Sequence, residues 1–275
     1  MTNPKEPDPQ AFRAFEHQGW QQAADRYAQD FEQVTTQTVE PLLAATAVTE
    51  GTLLLDLATG PGYVARAAAE RGATVVGVDF SRAMLERARR NAPTVEFREA
   101  DAAELPFAEG SFEVVTMNYG LLHLGEPERA IAEVYRVLRP GGRFAFSVWA
   151  GPEAALGIGI PLSAIQAHGN LAAPLPVGPP FFRFSDPEES KRVLRAAGFE
   201  DAQVQRVPQV WRLGSPEALF EVMCHATVRT AGLLRAQTPE ALVQIRQAIT
   251  AGARTYADGN GVALPMPAML ASARK

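Results

Sequence analysis

The chain has 275 residues, 47% of them hydrophobic and 21% charged, with a formal net charge of −5. That is the composition of a globular protein with a sizeable core, and it excludes partners needing a concentrated basic surface, nucleic acid or an anionic membrane. The single cysteine, Cys224, excludes an internal disulfide framework and any cysteine-rich zinc site, so no metal is expected.

Residues 1–9 are polar and Pro-rich, and are expected to be a frayed tail rather than a signal peptide. Trp20, Ala24, Tyr27, Phe31 and Val34 then recur at intervals of four and three, one face of an amphipathic helix. A second short helix is expected over 39–47. From there the texture changes to short apolar strands alternating with helices. Strands are expected at 52–58, 73–79, 95–101, 112–118 and 143–149. Ser81 is placed to cap the helix running to Arg90. The helix from Pro127 has proline in its first turn and Gly141-Gly142 past its end. Such alternation means a mostly parallel sheet with helices on both faces, binding its ligand at the C-terminal strand ends.

The second half is less regular. Residues 151–180 read as an insertion with a helix at 160–168. Ser185 and Glu188 form a capping box for a helix to Ala197. A sixth strand is expected over 202–213. Two helices follow, opened by Ser215-Pro216 and Thr238-Pro239, and 261–273 is a last strand. Pro265 and Pro267 predict an edge or hairpin position for it. No apolar run approaches the roughly 20 residues of a membrane span, and a cytoplasmic location is expected.

Chemistry concentrates at three strand ends. Gly60 and Gly62 follow the first strand, where missing side chains let a ligand reach the backbone. The run from Gly60 to Ala65 even satisfies a dinucleotide pattern. Asp56, four residues before Gly60, would repel a pyrophosphate but can orient the loop or an ammonium group. Asp79, seventeen residues after Gly62, can accept hydrogen bonds from both hydroxyls of a ribose. Asp101 can accept the exocyclic amine of adenine. Acids at three successive strand ends point to a nucleoside ligand more than to solvated caps.

With Leu55-Asp-Leu-Ala-Thr-Gly-Pro-Gly62, Val76-Gly-Val-Asp79-Phe-Ser, Asp101-Ala-Ala-Glu-Leu-Pro-Phe107, Ser111-Phe-Glu-Val-Val115 and Val137-Leu-Arg-Pro-Gly-Gly142, the chain resembles the class I S-adenosylmethionine-dependent methyltransferases. It is most similar to the branch holding the ubiquinone/menaquinone C-methyltransferases (methyltransferase type 11). The resemblance covers about residues 51–149 and departs at Ala58, where the family often has glycine. It implies a Rossmann-like α/β fold with a seven-stranded sheet, and S-adenosylmethionine as cofactor. Asp56 with the backbone of Ala58, Gly60 and Gly62 would hold the methionine part. Asp79 would take the ribose, and Phe80 and Met84 would pack on the adenine. Asp101 and Ala102 would read its edge, with Asn118 beside the methionine end.

Methyl transfer from a sulfonium asks mainly for alignment and exclusion of water. His123 is the candidate base. Tyr27, Asn118, His123, Trp149 and Phe182 are expected to wall a small-molecule site, with Phe181 and Phe184 near it. Residues 1–48 are read as tail and helical lid, and 49–275 as the methyltransferase domain. Its cofactor half is 49–150 and its substrate half 151–275, with insertions at 151–184 and 214–260. Lid and cap helices together are expected to close the pocket. His17, His168 and His225 are candidates for lid or cap. The sequence leaves open an NAD(P)-dependent oxidoreductase and a catalytically inactive cofactor-binding regulator, and does not address oligomeric state.

Overall fold

An apolar run such as Leu53–Leu57 is what a strand buried on both faces requires. A computed structural model, describing residues 8–275, assembles these runs into one sheet. Most of the expected tail (1–7) lies outside the described residues. Asp8 accepts from the N–H groups of Gln10 and Ala11, and Pro9 opens the first helix.

Three helices, α1 (Pro9–Asp30), α2 (Glu32–Thr35) and α3 (Val39–Ala45), precede β1 (Leu53–Leu57). The alternating body runs α4 (Tyr63–Glu70), β2 (Thr74–Asp79), α5 (Arg82–Asn91), β3 (Glu96–Glu99), β4 (Phe112–Asn118), α6 (Pro127–Val137) and β5 (Leu138–Trp149). Then come α7 (Leu156–His168), α8 (Pro187–Ala196), β6 (Glu200–Val207), β7 (Val210–Leu213), α9 (Ala218–His225), α10 (Arg229–Arg235) and α11 (Pro239–Arg254). The chain closes with β8 (Ala257–Asp258), β9 (Gly261–Pro265) and β10 (Ala268–Arg274). Among the described residues no helix is long and apolar enough to cross a membrane.

The main sheet has seven strands in the order β3-β2-β1-β4-β5-β10-β6, parallel except for β10. This is a Rossmann-like α/β fold. Alternate residues of a strand serve opposite faces. Leu54 joins Tyr63, Val64, Leu85 and Ala88 on one side, while Leu55, Val115, Phe144 and Phe146 join the larger core on the other. Strand order reverses between β1 and β4, which opens a crevice at their C-terminal ends.

Five local expectations are corrected. The stretch 202–213 is not one strand. Pro208 has no N–H for a ladder, so β6 ends at Val207, and β7 joins a separate three-stranded sheet, β7-β9-β8. The stretch 261–273 also divides between the two sheets, with Pro267 and Met266 in the crossing. The proline-free β10 therefore pairs on both edges, antiparallel to β5 and β6, instead of lying at an edge. Gly141 and Gly142 do not end a helix. Leu138 already leaves α6 in an extended conformation, and the glycines make an irregularity inside β5, with Gly141 at φ +78°. Asp186, not Ser185, caps α8, because Pro187 fixes the first helical position one residue later. The region 214–260 holds three helices, not two, together with β8.

Candidate functional site

The loop after β1 is built by backbone conformations few side chains tolerate. Ala58, Gly60 and Gly62 lie at φ +53°, +53° and +82°. The left-handed region costs a residue with a Cβ about 1–2 kcal/mol, which accounts for glycine being common where Ala58 stands. A Cβ on Gly60 would meet nothing within 4 Å, so its backbone is open to a ligand. Gly62 faces the other way: a Cβ there would come within 3.1 Å of Ala88 and 3.2 Å of Phe97.

Asp56 lies beneath this loop and does not face the cavity, contrary to the contact with the methionine part that the family pattern implied. Thr59 Oγ1 (2.5 Å), Thr116 Oγ1 (3.0 Å) and Ala65 N (3.2 Å) donate to its carboxylate. Burial pushes its pKa up to about 6, against the pull of the Thr59 and Thr116 hydroxyls. Its position is that of a brace for the loop.

Asp79 does face the cavity. Its Oδ2 accepts from Gly60 N and its Oδ1 from Ser81 N, each at 2.9 Å. A carboxylate has about four acceptor sites, so lone pairs on both oxygens remain unclaimed. Burial raises its pKa to about 6, opposed by the Ser81 and Gly60 N–H groups. Phe80, Met84, Asp101 and Ala102 continue the same wall. Asp101 is engaged by Arg13 of α1 at 2.7 Å and accepts from Ala103 N at 2.9 Å.

At the other end of the cavity, Asn118 is fixed by its neighbours. Thr38 Oγ1 and Ser147 Oγ approach its Oδ1, and its Nδ2 donates to Thr35 O at 3.1 Å. Tyr119 follows at φ +55°, its hydroxyl donating to Gln209 Oε1 at 2.6 Å. Burial raises the pKa of both Tyr27 and Tyr119, so both phenols keep their protons at neutral pH.

His123 ends the short 3-10 turn Leu121–His123, and its ring lines the cavity. Its Nδ1 is 3.0 Å from Glu16 Oε2. Glu16, wholly buried on α1, also accepts from Trp20 Nε1 (3.1 Å) and Arg229 Nε (2.9 Å). Burial works against the Glu16 charge, but His123 and Arg229 hold its pKa below the usual carboxylate value. Sequence reasoning missed Glu16, Arg13 and Arg229. One signal was available: Phe12, Glu16 and Trp20 are spaced by four, which puts an acid inside an apolar stripe.

The cavity runs along the C-terminal strand ends from Asp79 and Asp101 to Asn118 and Tyr119. From α1, Pro9, Arg13, Trp20 and Tyr27 line it, so this helix roofs the strand ends. The cap contributes no lining residue among those described. It braces α1 from outside, with Val228 so close to Gly19 that a Cβ there would fall 2.4 Å from it. Trp149 and Phe182 are corrected as cavity walls. Trp149 stacks behind Tyr119, ring centroids 4.0 Å apart, and Phe182 packs on Phe181, whose ring lies 6.1 Å from that of His123. The ring of His17, on α1, meets Phe80, while His168 and His225 are exposed. Burial pushes the Cys224 thiol up to about 11, which leaves it inert.

A family model described as a methyltransferase domain matches residues 55–146. A demethylmenaquinone methyltransferase of Thermus thermophilus is 39% identical over 161 residues, 53% of this chain and 73% of that protein. One from Clavibacter sepedonicus is 36% identical over 171 residues, 58% of this chain and 70% of that protein. Phosphoethanolamine N-methyltransferase 2 of Haemonchus contortus, solved with S-adenosyl-L-methionine, matches with a TM-score of 0.59 at 19% identity. The match covers 96% of this chain and 60% of that one, and at this identity the likeness concerns the fold.

Proposed function

The chain belongs to the class I S-adenosylmethionine-dependent methyltransferases, in the branch of the ubiquinone/menaquinone C-methyltransferases, and from that premise we propose that it methylates a small hydroxylated aromatic ring of the quinol kind. S-adenosylmethionine is the cofactor, which sets aside the oxidoreductase; the methyltransferase domain and the relatives named as methyltransferases favour an enzyme over an inactive regulator.

The residues present fit that cofactor. The Gly60 backbone is open, the Asp79 carboxylate has unclaimed lone pairs, and one roofed cavity joins both to Asp101 and Asn118. In this reading Asp79 accepts the ribose hydroxyls, Phe80 and Met84 flank the adenine, and Asp101 with the Ala102 backbone reads its edge. The backbone of Ala58 and Gly60, together with Asn118, faces the methionine end. The cofactor supplies an electrophilic methyl group on a sulfonium. The helices before residue 49 act as a lid that orients the acceptor and excludes water.

The observation that carries the acceptor class is the aromatic end of the cavity: Trp20, Tyr27 and Tyr119 with a single imidazole, His123. A flat ring packs against such walls, and a closed roof suits a small molecule better than a macromolecule. The relatives named for demethylmenaquinone point to a quinone skeleton. An oxidised quinone is electron-poor and does not attack an electrophilic methyl group, whereas its reduced, hydroxylated form does. His123 is then the base that takes a hydroxyl proton.

Incubation with methyl-labelled S-adenosylmethionine and naphthohydroquinone is expected to put label on the ring, and incubation with oxidised naphthoquinone is not. Cofactor binding with no label in the reduced ring would overturn this acceptor class.

A further inference from the structure

A buried carboxylate is costly unless it is paired and fully hydrogen-bonded, and Glu16 meets that requirement through three separate parts of the chain. Trp20 Nε1 comes from its own helix, His123 Nδ1 from the turn after β4, and Arg229 Nε from α10. Arg229 is itself fixed. Its Nη1 donates to Pro179 O at 3.0 Å and its Nη2 to Leu122 O at 2.9 Å. Its guanidinium lies 4.5 Å from the Phe12 ring centroid and 5.4 Å from that of Phe181. Phe12 and Trp20 already give α1 an apolar seat, so holding the roof down does not by itself call for a buried acid. What apolar contact cannot do is choose which nitrogen of an imidazole carries the proton.

We propose that Glu16 is a positioning residue for His123, fixing the tautomer with its proton on Nδ1 so that Nε2 faces the cavity as a proton acceptor. The inference rests on the reading of His123 as base for a hydroxylated acceptor. A neutral imidazole carries one N–H, and a carboxylate only accepts, so Nδ1 is the donor to Glu16. Arg229 Nε occupies the other carboxylate oxygen, Oε1, at 2.9 Å, so Oε2 is the atom that faces Nδ1. Among the described residues no hydrogen-bond partner meets Nε2, and the side chain keeps 19% of its surface exposed within the cavity lining.

The step is a proton transfer. The acceptor's O–H bond breaks, an N–H bond forms at Nε2, and the electron pair stays on oxygen, where it raises the nucleophilicity of the ring. The imidazolium left behind lies against Glu16, whose charge offsets it. Glu16 belongs to the roof, His123 to the body and Arg229 to the cap. The base is therefore complete only when all three are docked, and lid closure and activation of the acceptor become one event.

The tautomer itself is read in the wild-type chain, labelled with nitrogen-15. Proton–nitrogen correlation spectra of the histidine rings, with His123 assigned by its loss in His123→Gln, are expected to show a single tautomer protonated at Nδ1. Glu16→Gln is expected to lose that signature. Its kcat with naphthohydroquinone should fall at least tenfold, while its dissociation constant for S-adenosylmethionine stays within about twofold. An Nε2-protonated ring in the wild type, or an unchanged signature and kcat in Glu16→Gln, would overturn the proposal. If the tautomer is as expected but His123→Gln keeps full turnover, the base reading fails and takes this catalytic role of Glu16 with it.

Discussion

Asp79→Ala is expected to weaken S-adenosylmethionine binding by about 1.5–3 kcal/mol, roughly ten- to a hundredfold, the net worth of hydrogen bonds to a charged group. The same carboxylate holds Gly60 N and Ser81 N, so its removal also frees the loop that shapes the site. Its pH behaviour identifies it. Burial raises the pKa of Asp79 from 3.8 to about 6. The folded state therefore binds the proton more tightly than the unfolded chain does. The fold loses stability as pH rises from about 4 to about 6, and the cost is constant above that. Cofactor affinity runs the other way, because the ribose needs the ionised carboxylate. It should be level above about pH 7 and fall below pH 6. Asp56 titrates in the same window but lies beneath the loop, so the pH dependence of affinity should largely disappear in Asp79→Ala. Calorimetric titration from about pH 5 to 8 checks both points. Unchanged affinity in the variant would mean that Asp79 does not hold the ribose.

Trp211→Ala is expected to cost about 3–5 kcal/mol of stability, the range for emptying a fully buried tryptophan site. The side chain is completely buried where roof, cap and small sheet meet. Its ring centroid lies 4.6 Å from that of Phe31, and its Nε1 donates to Asp30 O at 3.0 Å, at the end of α1. A Cβ on Gly157 of α7 would come within 2.7 Å of it, so α7 packs directly on its face. The midpoint of chemical denaturation should fall accordingly. A loss below about 1 kcal/mol would show that the site collapses around the cavity. Phe31 and Val34 belong to the main core, so a truncation through residue 35 would remove core as well as lid. Point changes in α1 are the cleaner probes.

What was legible in the sequence is what depends on neighbours along the chain. Asp79 ends a strand whose apolar run is plain and Asp101 follows β3 by two residues, and a strand end in a parallel sheet has a known address at the ligand edge. Gly60 and Ala58 follow β1 directly, so their place in the loop is local too. Asp56 shows the limit. Its position at the strand end was readable, but which side of the loop its carboxylate occupies depends on Thr116 of a neighbouring strand. Glu16 and Arg229 are 213 residues apart, and no local pattern connects them. Trp149 and Phe182 were assigned to the cavity on aromatic character, which a core uses equally well. Tyr119, not Trp149, presents its face there, because its left-handed backbone turns the chain after β4. The central placement of β10 was hidden by the prolines before it, Pro265 at the end of β9 and Pro267 in the link.

The proposed meeting of donor and acceptor in the cavity beneath α1 is tested most directly by a crystal structure with S-adenosylhomocysteine and naphthohydroquinone bound. The ribose hydroxyls should lie within hydrogen-bond distance of Asp79, with the sulfur toward Asn118 and a ring hydroxyl facing His123 Nε2. A ring bound outside this cavity, for instance in the open groove beside Arg139–Arg143, or a ribose remote from Asp79, would contradict it.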